Sequence, residues 1–116
     1  MASAEDRERL SHVIEYVKAT GEQDWCTDVV RNAEGSNCLF GHISAMDSTD
    51  RAYGDAWEWF EETWGTTYYV YPINDGTNPK YQQPTPKQRI VAYLEALMSG
   101  QEQDMEAYWK SMAELM

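Results

Sequence analysis

Residues 53–64, Tyr-Gly-Asp-Ala-Trp-Glu-Trp-Phe-Glu-Glu-Thr-Trp, constrain this chain more than any other stretch. At about 100° per residue, Tyr53, Trp57, Phe60 and Trp64 project into one helical stripe about 60° wide. Asp55, Glu58 and Glu62 fall on the opposite side. A chain of 116 residues has room for one core, so the rest of the sequence must pack against this aromatic face. Trp59 does not fit the stripe. It projects at least about 100° away, on the flank nearest the acids. Either the 66–72 segment covers it or it anchors an interface.

The remaining segments read as further helices. Ser3 followed by Asp6 forms a capping box. Leu10, Val13, Ile14 and Val17 then recur at helical spacing, with His12 on the polar side and Gly21 as the C-terminal cap. Cys38, Leu39, His42, Ile43 and Met46 predict a helix over roughly 37–47, capped by Ser36 or Asn37. Ser48, Thr49 and Asp50 supply caps for the aromatic helix, and Gly65 ends it. Thr85-Pro86-Lys87-Gln88 is the clearest helix start in the chain. It opens a helix to about Met98 that buries Ile90, Leu94, Leu97 and Met98. Residues 101–116 form a last helix with Met105, Trp109, Met112 and Met116 in one stripe.

Two stretches read differently. Residues 25–34 hold enough β-branched side chains for a short strand, and Thr66–Tyr71 has the strongest strand propensity, stopped by Pro72. Residues 74–86 read as a structured loop. The expected fold is mainly α: a compact bundle of about five helices, with at most a two-stranded β element around 26–32 and 66–71. Residues 1–100 form one helical domain. The 101–116 helix packs on it or on a second copy.

Chemistry-bearing groups are few. Cys38 and His42 are four apart and share a helical face, and Cys26 could join them as a metal site, but zinc needs a fourth ligand. The simpler reading makes both cysteines small buried hydrophobes. Cys38 near a helix start could act as a nucleophile with His42, although no catalytic motif surrounds it. Asn74-Asp75-Gly76 is either turn chemistry or a polar ligand contact beside Tyr68, Tyr69 and Tyr71. No cofactor and no enzymatic activity are expected.

Trp25-Cys26, Asp28, Arg31-Asn32-Ala33-Glu34-Gly35, Cys38-Leu39-Phe40-Gly41-His42-Ile43, Ile73-Asn74-Asp75 and the Thr85-capped Gln88–Leu94 helix together resemble a family of small uncharacterised proteins of actinobacteria and their phages. The resemblance covers roughly residues 8–97. Ile73 departs from the family's Trp before Asn-Asp, the loop between Asp75 and Thr85 is longer, and the terminal helix lies outside the pattern. The family has no established activity to carry over. The resemblance implies that the Trp25-Cys26, Cys38-Leu39 and Asn74-Asp75 pieces form one packed unit; the short length, acidity and extra aromatics look like those of a phage accessory protein.

Twenty acids against nine bases give a net charge of −11. That charge opposes direct binding to nucleic acid or to anionic membrane surfaces. It suits a basic protein partner, or mimicry of nucleic acid against a DNA-binding protein. The N-terminus lacks the apolar stretch of a secretory signal, which places the chain in the cytoplasm, that of the host if phage-encoded, with reduced thiols. The expected function is binding to a protein, of the host if phage-encoded. The candidate surfaces are Trp59 with Asp55, Glu58 and Glu62, and Met105, Trp109 and Met112 of the last helix, which would also support a homodimer. The alternative is a small-molecule or metal site centred on Cys26, Cys38, His42, Asn74 and Asp75.

Overall fold

The three-dimensional structure is a computed structural model, and it describes residues 3–27, 32–47, 55–102 and 104–115. The expected caps Ser48, Thr49 and Asp50, the stripe residue Tyr53 and the terminal Met116 lie outside the described residues. So do the side chains of Met46, Asp55 and Met105. The helices run in the order α1 (Ala4–Ala19), α2 (Leu39–Asp47), α3 (Asp55–Thr63), α4 (Thr67–Asp75), α5 (Pro86–Ser99) and α6 (Met105–Glu114). The protein is mainly helical, as its periodicity predicts. No described helix is long and apolar enough to cross a membrane.

The two best-signalled helices form as read. The Ser3 hydroxyl accepts from the Asp6 amide at 3.1 Å, and the Asp6 carboxylate accepts from the Ser3 amide at 3.1 Å. These two bonds satisfy donors that the first turn of α1 would otherwise leave open. Leu10, Val13, Ile14 and Val17 are buried. The stop differs from expectation. Gly21 has φ −84°, an ordinary value, and α1 ends one residue earlier at Thr20, whose hydroxyl donates to the Val17 carbonyl at 2.6 Å. Thr85 caps α5 by accepting from the Gln88 amide at 3.2 Å, with Pro86 at the first helical position and Gly100 left-handed at φ +82° beyond the end.

α5 is the hub, packed against α1 on one side and α4 on the other. Its Ile90, Tyr93, Leu94 and Leu97 are buried. Lys87 donates to the Lys18 and Thr20 carbonyls at 3.0 and 2.5 Å. A cation thus sits at the electronegative end of α1, where it is favourable.

The strand expected at 66–71 is a helix. Thr66 accepts from the Tyr69 amide, and α4 runs past Pro72 to Asp75. Its buried side chains, Val70, Ile73 and Asn74, recur at helical spacing. Burying them outweighs the β preference of the Thr and Tyr run and the hydrogen bond that Pro72 cannot donate. Among the described residues the β pairing that forms is one isolated parallel bridge, Trp25 with Asn37, so no two-stranded ribbon joins 26–32 to 66–71.

The aromatic helix supplies core as predicted: Phe60 and Trp64 are buried. Trp57 is half-buried and stacks on Phe40 of α2, ring centroids 5.1 Å apart. Gly65 then permits a close approach: a Cβ there would collide with the hydroxyl of the fully buried Tyr93. Neither that hydroxyl nor the Trp64 indole N–H finds a partner among the described residues. Gly65→Ala should therefore lower stability by about 1–3 kcal/mol in denaturant unfolding. Tyr93→Phe should be neutral to stabilising, because it removes an unsatisfied buried hydroxyl, and should relieve most of the Gly65→Ala penalty in the double variant.

Candidate functional site

The loop between α1 and α2 closes on itself before α2 begins. The Asn37 amide donates to the Asp24 carbonyl at 2.8 Å, and the Cys26 amide donates to the Asn37 carbonyl at 3.0 Å. These are two successive bonds of a parallel ladder. The next bond in register would join the Leu39 amide to the Cys26 carbonyl. The carboxamide of Asn74 stands in that place instead. Its oxygen accepts from the Leu39 amide at 3.2 Å, and its nitrogen donates to the Cys26 carbonyl at 2.9 Å. A second donor bond reaches the Asp75 carboxylate at 3.1 Å. Asn74 has no exposed surface, and its carboxamide substitutes for a missing peptide group.

Arg89 of α5 fixes Asn74 from the other side. Its guanidinium donates to the carbonyls of Ile73 at 3.1 Å, Asn74 at 2.9 Å and Gln83 at 2.8 Å. The first two lie in the last turn of α4, so a buried cation caps the electronegative end of that helix. Gly76 closes α4 with φ +86°, and a Cβ there would stand 3.1 Å from the guanidinium carbon. The Asn74-Asp75-Gly76 stretch therefore ends a helix. Gly76 supplies the left-handed turn, while Asn74 reaches distant backbone. The Trp25-Cys26, Cys38-Leu39 and Asn74-Asp75 pieces meet in this one knot.

The cysteines and His42 surround it. Cys26 donates from its Sγ to the Ser36 carbonyl at 3.3 Å, and neither cysteine is in a disulfide. Burial pushes both up from their ordinary pKa, with the Phe40 and Gly41 amides at the start of α2 partly opposing this for Cys38. His42 packs its ring 4.3 Å from that of Trp25, and its Nε2 lies 3.0 Å from the Asp24 carbonyl. The imidazole is thus occupied by backbone rather than turned toward Cys38. Among the described residues no three His, Cys, Asp or Glu side chains converge as a metal ion would require.

The candidate partner-binding residues fall in two places. Trp59 is half-buried, with α1 supplying contacts to its indole. Its indole donates to the Asp6 carboxylate at 2.9 Å, and the Arg9 guanidinium lies 4.5 Å from its ring centre. The indole N–H, with the Ser3 amide, holds the Asp6 carboxyl below the usual range. Glu58 and Glu62 are exposed. On α6, which lies beside α3, Trp109 is 56% exposed, Met112 39% and Leu115 83%. Two shallow grooves along α5, beside Ile14 and Lys18 of α1, are open to solvent and carry no converging set of catalytic groups.

Sequence reasoning missed Arg89 and Glu102. Arg89 is a buried charge adjoining the apolar stripe of α5, and that position was its one visible signal. Glu102 is buried and accepts from Lys80 Nζ at 2.9 Å and from the Tyr81 hydroxyl at 2.7 Å, which pins the 76–85 loop beneath the α5–α6 turn. Comparison with protein-family models, with curated proteins and with solved structures returned no match.

His42 gives this region a pH dependence. Burial holds its pKa below 6.5, against the smaller opposing effect of the Asp24 carbonyl. Below about pH 6.5 the unfolded chain therefore binds a proton that the folded chain resists, and stability falls as pH drops through that range. Urea unfolding between about pH 7.5 and about pH 5.5 should show this loss, and His42→Gln should reduce its slope. An unchanged slope would mean that His42 protonates in the folded protein as readily as in the unfolded chain.

Proposed function

We propose that this protein acts by binding another protein, without catalysis, and that α6 carries the contact. The observation behind the proposal is the exposure of Trp109, Met112 and Leu115 on a helix that rests on α3. These three side chains span about 120° of the helix surface. A large aromatic beside flexible apolar side chains is the composition found at the centre of protein interfaces. The charge of −11 supplies the rest of the reading. A basic partner would be steered toward the surface, with the apolar residues supplying affinity. The proposed setting is the cytoplasm, that of the host if the chain is phage-encoded.

The Trp59 surface is the lesser candidate. Its indole is already bonded to Asp6 and covered by Arg9, so exposing it to a partner would break both contacts. The ligand-binding alternative is weaker still, because the Asn74 carboxamide is engaged by backbone and by the Asp75 carboxylate, and His42 Nε2 meets the Asp24 carbonyl. A second copy of the chain is the one other partner that the exposed α6 face favours.

Affinity capture from the natural host, with wild type, a Trp109→Ala/Leu115→Ala double variant and Trp59→Ala, tests the proposal. The double variant should weaken capture of the specific partner at least about tenfold, while Trp59→Ala retains it. Equal recovery with the double variant would remove α6 from the interface. Sedimentation of the purified protein distinguishes self-association, which the double variant should abolish.

A further inference from the structure

We propose that Cys26 and Cys38 are a redox-active pair that closes to an intramolecular disulfide, a covalent modification site built into the knot around Asn74. Trp25 and Asn37 are bridged in parallel, so Cys26 and Cys38 each follow directly on a bridged residue. In a parallel pair, residues at matching positions project to the same side, and neighbouring strands lie about 5 Å apart. The Cα separation a disulfide spans is about 4.4–6.8 Å. The Asn74 carboxamide links the two segments just beyond the pair, because it bonds the Cys26 carbonyl at one end and the amide of Leu39, next to Cys38, at the other. Both cysteines are reduced in this structure, both side chains are buried, and a charge on Cys26 is felt at Cys38.

The two thiols differ in exposure more than in amide support. Cys38 precedes the first residue of α2, where the Phe40 and Gly41 amides partly offset the upward push of burial, as the Asn32 amide does for Cys26. Cys26 is the more exposed, 9% against 1%. With hydrogen peroxide as oxidant, one thiolate attacks the peroxide oxygen and becomes a sulfenic acid as the O–O bond breaks and hydroxide leaves. The second thiolate attacks that sulfur, forms the S–S bond and expels the hydroxyl group as water after proton transfer. The balance is two thiols and one peroxide giving one disulfide and two waters. Dithiothreitol returns both thiols. The bond closes residues 26–38 into a loop and ties the start of α2 to the segment that follows α1, so the oxidised form should resist unfolding better.

The experiment treats the purified full-length protein with hydrogen peroxide under native conditions, quenches with acid, and follows thiol titre, intact mass, peptide mapping and thermal midpoint. The expected result is loss of both thiols together, a mass lower by two hydrogens, a peptide linking Cys26 to Cys38, unchanged monomer size and a raised midpoint that dithiothreitol reverses. Cys26→Ser and Cys38→Ser should each lose the mass change and the midpoint shift. Thiols that stay titratable until the chain is denatured would overturn the proposal. So would oxidation to sulfinic acids without a cross-link, or disulfides that join separate chains.

Discussion

One side chain stands where a backbone hydrogen bond should be. The segments holding Asp24–Cys26 and Asn37–Leu39 begin a parallel ladder and then part, because Cys38 leads into α2. That departure strands a buried acceptor, the Cys26 carbonyl, and a buried donor, the Leu39 amide. A buried peptide group without a partner costs more than a typical hydrogen bond gains. Asn74 satisfies both with one carboxamide, and Arg89 satisfies the carbonyls that α4 leaves open just beyond it. The position of α4 relative to α2, and of α5 relative to α4, follows from these bonds. The apolar contacts of Leu39, Val70, Ile73 and Ile90 then fill the space they define.

This knot accounts for polar residues that looked chemical in the sequence. Asn74 is used up in structure, and His42 is directed at the Asp24 carbonyl. The outer surface carries the net negative charge and the exposed apolar residues Trp109 and Met112 of α6. An exposed aromatic beside apolar side chains on a charged surface is the feature on which the proposal of a protein partner rests.

How far the fold was legible follows from the range of the interactions. α1 and α5 were readable because their signals are local: a capping threonine or serine, a proline at the first position, apolar spacing of three and four. α3 was readable for the same reason, and Phe60 and Trp64 lie in the core as projected. α4 was misread because propensity counts Thr and Tyr toward strand. The deciding fact, burial of Val70 and Ile73 against α5, belongs to tertiary structure. Trp59, set apart from the aromatic stripe by projection, packs partly buried against the core beside Phe60, as Trp57 does. Its cover came from Asp6 and Arg9, more than forty positions away, which no local pattern could reveal. The role of Asn74 was hidden too, since an Asn before Asp-Gly reads as a turn residue until its long-range partners are known.

The account rests on the Asn74 carboxamide acting as the missing ladder bond, and native-state hydrogen exchange at the Leu39 amide tests that most directly. In the wild-type protein the Leu39 amide should exchange as slowly as that of Leu94 in the middle of α5, because both require the core to open. In Asn74→Ala the Leu39 amide should exchange at least about tenfold faster than the Leu94 amide, whatever happens to global stability. If Leu39 remains as protected as Leu94 in that variant, the carboxamide is not what holds the start of α2, and the central claim fails.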